Sequence, residues 1–267
     1  MEFLNELIAG CDLSSTNLLL LIIAAFVAGF IDAVAGGGGL LTVPAMLSTG
    51  LPPHLVLGTN KLAATFGSIT SSYTFYRNKL FDPLFWQVSF WATCIGALIG
   101  TILVHFLDAS ILNKILPIFI GFSAVYTLFN PLRDNNNMTL PKKSEDKHFK
   151  LKQISQGSIL GFYDGFAGPG TGAFWTVSNV VLYKMNLLLS SGLAKAMNLT
   201  SNFFSLIAFI YLGHVNFALG IIMGLFLMVG AYTGAHSAIR LGNRFIRPVF
   251  ILVVTIMTVK LGYDAWY

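Results

Sequence analysis

The stretch from Gly29 to Pro44, GFIDAVAGGGGLLTVP, returns 132 residues later as GFYDGFAGPGTGAFWT, from Gly161 to Thr176. Gly29, Phe30, Asp32, Ala35, Gly36 and Gly38 recur as Gly161, Phe162, Asp164, Ala167, Gly168 and Gly170. In both copies an apolar, helix-length run carries one carboxylate, meets a glycine-rich break one turn later, and resumes as a second apolar run. Consecutive glycines lose more backbone entropy in a helix than any other residue, so Gly36 to Gly39 predicts a broken helix. The second half-helix then starts with unpaired N–H groups, which favour an anion. Alone, a run of glycines is read as close packing of helices; its recurrence behind a matched Asp turns the reading toward a ligand.

Apolar runs of about 20 residues, long enough for a bilayer core of roughly 30 Å, follow one another along the chain. Hydrophobic residues make up 55% of it and charged residues 10%, with a mean hydropathy of +0.73. A soluble domain carries about a quarter charged residues. The fold class expected is therefore an all-α polytopic membrane protein. The net charge of +5 sits in short loops between apolar runs, so it sets topology rather than binding nucleic acid. Cys11 and Cys94 make no framework or metal site, and no cofactor is expected. The N-terminus is acidic and lacks the basic region of a signal peptide, so the first apolar run is expected to be retained.

The runs are Leu18 to Ala35, Leu40 to Leu47, Leu55 to Tyr76, Leu84 to Leu107 and Leu112 to Phe129. After the hydrophilic linker Pro131 to Lys152 come Ile154 to Ala167, Ala173 to Tyr183, Leu187 to Leu212, Phe217 to Ile239 and Phe245 to Tyr263. The expected organisation is a membrane repeat over 1–130, a cytoplasmic basic linker over 131–152 and a second membrane repeat over 153–267. Beyond the first motif the offset grows to 134: Gly58-Thr-Asn-Lys61 matches Gly192-Leu-Ala-Lys195, and the glycines at 96 and 100 match those at 230 and 234. Close helix contact explains these spaced glycines more simply than pore lining.

The linker, Arg77 with Lys79, and Arg240 with Arg244 and Arg247 are the basic clusters, and all belong in the cytoplasm. They share one side only if each glycine-broken segment is a re-entrant hairpin, tolerated where protein or a wet cavity surrounds it. Each half then crosses about three times, the halves are inverted, and both termini are periplasmic. Inverted halves with broken helices at matching places are the plan of secondary transporters, which bind solute near the midplane.

Lys61 and Lys195 lie inside apolar runs, where a charge is costly without a partner or cavity. Helical steps lead from Lys61 to Thr65, Ser68 and Ser72, and from Lys195 to Asn198, Asn202 and Ser205. These stripes, facing the glycine half-helices, define the expected anion site. It comprises Lys61, Lys195, Asn60, Thr65, Ser68, Asn198 and Asn202, with Gly37, Gly38 and Gly39 from one break and Gly170, Thr171 and Gly172 from the other. The competing reading pairs each lysine with the Asp of its own repeat, or lets it snorkel to an interface. Asp32 and Asp164 are candidates for proton coupling, because desolvation raises and a nearby lysine lowers a carboxyl pKa; orienting the glycine loop is the alternative. The five histidines show no ligand spacing and read as interfacial. No Gly-x-Ser-x-Gly or His-Glu-x-x-His pattern points to an intramembrane enzyme.

The paired motifs, GFIDAVAGGGG with GTNK and GFYDGFAGPGTG with AKAMNLTSN, resemble the sulfite exporter TauE/SafE family, also called the TSUP or four-toluene-sulfonate uptake permease family. The resemblance runs from about Gly29 to the C-terminus. Pro169 and Thr171 stand where the first copy has glycines. The resemblance implies a bacterial inner-membrane transporter of small sulfur-containing or organic anions such as sulfite, sulfonates or sulfoacetate, coupled to an ion gradient. The partners expected are the anionic substrate, the lipid bilayer, a proton or sodium ion for coupling and, as an open alternative, a second copy in a homodimer. An uncoupled anion channel would use the same residues.

Overall fold

The computed structural model describes residues 13–112, 114–116, 118, 148–242, 245, 248 and 252. Eight helices have both ends among these residues, and no strand is seen among them: α1 Ser15–Ala35, α2 Gly39–Leu47, α3 Pro53–Arg77, α4 Gln87–His105, α5 Phe149–Phe166, α6 Thr171–Tyr183, α7 Leu187–Tyr211 and α8 Phe217–Leu241. Most of the linker and most of the expected spans Leu112 to Phe129 and Phe245 to Tyr263 lie outside the described residues.

Local chemistry sets the ends of these helices. Ser14 caps α1 by accepting from the Asn17 N–H, and Asn186 and Asn216 cap α7 and α8 in the same way, each accepting from the third residue on. Gly36 closes α1 in the left-handed conformation at φ 78°, which costs a glycine nothing. Pro53 opens α3 at the helix position where its missing N–H does no harm. Four helices, α1, α4, α7 and α8, are long and apolar enough to cross a membrane. The 25-residue α3 is as long as α7, about 37 Å, but carries Lys61 and a series of Ser and Thr that its neighbours bury.

The halves interleave. Helix α1 packs against α8 and α5 against α4, while α3 and α7 cross at the centre. The spaced glycines form both outer contacts. A Cβ at Gly230 or Gly234 would overlap the carbonyl oxygen of Phe26 or Phe30 on α1, and one at Gly96 or Gly100 would overlap that of Ser158 or Phe162 on α5. This is the small-residue packing expected of membrane helices, reaching between halves rather than within one.

Two clusters mark the ends of the bundle. At one, His54 from the start of α3, His105 from the end of α4 and His214 from the α7–α8 turn lie side by side. At the other, Trp86 before α4, Phe149 at the start of α5 and Tyr183 at the end of α6 pack within 4.9 to 5.6 Å of one another. Helix α1 starts beside the N-terminal part of α8, and Leu47, closing α2, packs near Leu57 and Val104 at the histidine end. The α1–α2 hairpin therefore opens at the histidine end and the α5–α6 hairpin at the aromatic end.

Candidate functional site

The hairpin tips meet inside the bundle. The Ala173 N–H donates to the Gly36 carbonyl at 2.7 Å, and Gly36 and Gly172 touch so closely that neither has room for a Cβ. Gly168 and Gly170 turn the second tip at φ 89° and 80°. Backbone thus meets backbone, which only glycine permits at this distance.

Each lysine reaches across this junction to the carboxylate of the other half. Lys61 Nζ donates to Asp164 Oδ1 at 2.9 Å, to the Asp164 carbonyl at 2.6 Å and to Asn202 Oδ1 at 3.2 Å. Lys195 Nζ donates to Asp32 Oδ2 at 3.1 Å and to the Asp32 carbonyl. The pairing within each repeat, one of the readings open at the sequence level, is corrected: the partners are crossed. Both ammonium side chains are 1–2% exposed, so an ion pair is what makes their burial tolerable.

The carboxylates are further held by neutral donors. Asp164 accepts from Thr171 Oγ1 at 3.0 Å and from Ser201 Oγ, while Asp32 accepts from the Gly38 N–H at 3.1 Å. Asp32 therefore occupies the amide end of the α2 half-helix, where the sequence leads one to expect a solute's negative charge. The two sites are unequal: the Asp32 side chain is 15% exposed and that of Asp164 3%.

Between the tips lies a cavity of about 30 Å³, room for a few waters at most. Both carboxylates line it, with Gly37, Gly38, Gly39 and Asn60 from the first half. Gly170, Thr171, Gly172, Asn198 and Asn202 line it from the second. Lys61, Lys195, Thr65 and Ser68 do not. The lysines sit behind the carboxylates, and the two hydroxyls turn back onto their own helix, Thr65 Oγ1 to the Lys61 carbonyl at 2.7 Å and Ser68 Oγ to the Thr65 carbonyl at 3.2 Å. Back-bonding of this kind satisfies a hydroxyl where no water reaches it. The site is closed around its own charges.

Sequence reasoning passes over two contributors. Thr42 lines the cavity and donates to Asn60 Oδ1 at 2.6 Å, and Ser201 holds Asp164. Thr42 lies one turn beyond Gly38 on α2, a spacing that could have marked it. The histidine cluster gives no such signal, because its members come from three separate places in the chain. His105 Nδ1 and His214 Nε2 share a hydrogen bond of 2.8 Å, and the His54 and His214 ring centres are 5.1 Å apart. Burial, then the nearby His54 and His105, push the His214 pKa below its usual value.

A family model described as sulfite exporter TauE/SafE matches residues 21–261, which include both glycine breaks and both lysines. The chain belongs to the TauE/SafE family. Among relatives, a probable membrane transporter protein of Haemophilus influenzae is 37% identical over 262 residues, covering 96% of this chain and 99% of its own length. The probable membrane transporter protein YfcA of Escherichia coli K12 is 35% identical over 269 residues, covering 99% and 96%. ORF9 of a Sinorhizobium species, named likewise, is 33% identical over 257 residues and covers 95% of each chain. No solved structure matches. A TauE/SafE protein with these relatives is a membrane transporter, and it is as transporters, not enzymes, that the relatives are named.

Proposed function

We propose that this chain is a secondary transporter of small anions of the sulfite, sulfonate and sulfoacetate class, binding one solute between the hairpin tips near the bilayer midplane. The crossed pairs Lys61–Asp164 and Lys195–Asp32 are the observation that carries this reading. They sum to zero charge in a place where water is scarce. A bare anion entering would leave one uncompensated charge in a low-dielectric site, at a cost of several kcal/mol. A monovalent anion entering with one proton leaves the site neutral: the proton takes one carboxylate, and the lysine released from it faces the solute; a divalent anion needs a proton on each carboxylate. Asp32, the more exposed carboxylate, is the one that exchanges, vacating the α2 amide end for the solute's oxygens.

Hairpins that open at opposite ends suit alternating access, in which one half rocks against the other around a fixed site. The basic clusters support a cytoplasmic linker and periplasmic termini in a bacterial inner membrane.

In proteoliposomes, Lys61→Ala or Lys195→Ala should cut uptake of sulfite or a small sulfonate by about tenfold or more, the loss of one charge-assisted contact. Wild-type rates in both variants would remove the site. An imposed pH gradient should drive accumulation by the wild type; sodium dependence instead would name the other coupling ion. Flux indifferent to both gradients would make the protein an uncoupled channel.

A further inference from the structure

The C-terminal hairpin carries a second set of buried polar groups that the carboxylate–lysine site does not use. Gln156 Nε2 on α5 donates to Ser178 Oγ at 2.6 Å and to Asn179 Oδ1 at 2.8 Å on α6, and Asn179 Nδ2 donates to the Ser190 carbonyl at 3.1 Å on α7. Four more polar atoms around this chain, Trp175 Nε1, Ser190 Oγ, Ser191 Oγ and Gln156 Oε1, are buried without a hydrogen-bond partner among the described residues. Trp175 lies one turn before Ser178 and Asn179 on α6, and Ser191 one turn before Lys195 on α7. The set therefore leads from the aromatic end of the bundle to the lysine.

The matching positions of the N-terminal half are apolar. At the matching places stand Ala24 for Gln156, Val43 for Trp175, Met46 for Ser178 and Leu47 for Asn179, with Val56 and Leu57 for Ser190 and Ser191. Val43, Met46 and Val56 are fully buried in one apolar cluster with Leu21 and Leu40. At this place, then, two halves built on one plan differ: one is packed with apolar side chains and the other carries three orphaned donors and one orphaned acceptor. Buried polar atoms without partners are retained where something polar visits them.

We infer that this seam is a hydrated access path, lined by neutral donors suited to water and to oxyanion oxygens, joining the site to the end of the bundle where α5 and α6 open. The corresponding route through α1 and α2 is an apolar plug. The path deepens the transport reading, but its test reads water rather than flux, so either can fail alone.

Hydroxyl-radical footprinting of the full-length protein in lipid nanodiscs separates the two sides. Referred to rates in the denatured chain, Trp175 should be oxidised at least about fivefold faster than Met46, the counterpart of its neighbour Ser178. Equal protection of Trp175 and Met46, or faster oxidation of Met46, overturns the proposal. Importing the N-terminal residues, Asn179→Leu with Ser190→Val, should protect Trp175 while leaving the protein monodisperse; unchanged oxidation would show that the seam does not carry the water. With Cys11 and Cys94 replaced by Ser, a Ser191→Cys variant should react with a small anionic thiosulfonate from one face of sealed vesicles only. Labelling from both faces, or faster labelling of a matched Leu57→Cys variant, also overturns it. Transport lost by Lys61→Ala with footprinting unchanged would leave both readings standing, whereas wild-type transport with the seam still wet would remove only the anion site.

Discussion

A buried lysine with one carboxylate is more dependent on that partner than an exposed pair is. Asp164→Ala leaves Lys61, 2% exposed, with only a carbonyl and the Asn202 amide oxygen, so unfolding in detergent should become easier by about 3–5 kcal/mol. Asp32→Asn should cost less, since that side chain is partly exposed, and its main effect should be on coupling. Proteoliposomes with Asp32→Asn should move the anion down its own gradient but fail to accumulate it from a pH gradient, and retained accumulation would exclude Asp32 as the proton carrier. His214 gives a different test. Its folded pKa is lowered by burial and by His54 and His105, so the unfolded chain, near 6.5, takes the proton first. The stability held above about pH 6.5 should fall as the pH drops toward the folded value. His214→Asn should flatten the dependence of Tm on pH between about 7.5 and 5, read by thermal unfolding in detergent.

Between elements, backbone approach decides what is tolerated. Gly36 combines a left-handed conformation with direct contact to Gly172, so Gly36→Ala should part the hairpin tips and abolish transport even if the helices persist. Gly96→Val should be worse for folding than for the site, because it wedges α4 from α5 and Gly96 does not line the cavity; a fall in the yield of monodisperse protein is the measurement. Both glycine motifs are legible as packing residues. Their partners are not, since α4 meets the first helix of the other half, and apolar periodicity shows which face is buried without saying against what.

On the scale of the whole molecule, interleaving makes each half depend on the other. Helices α1 and α5 find their outer contacts on α8 and α4, so residues 1–139 expressed alone should aggregate, whereas co-expression with residues 140–267 should restore a monodisperse complex, checked by size exclusion. The duplicated Asp, Gly and Lys positions, the helical class and the membrane setting are all readable along the chain, because hydropathy, glycine entropy and repeat spacing are local quantities. The crossing of the ion pairs, the placing of carboxylates rather than ammoniums on the cavity wall, and the gathering of histidines around His214 join residues from 103 to 163 positions apart. Contacts of that span depend on which helix lies beside which, and burial makes the choice: a lysine led into the bundle by an apolar helix takes the nearest carboxylate, and the folded packing puts that carboxylate in the opposite half.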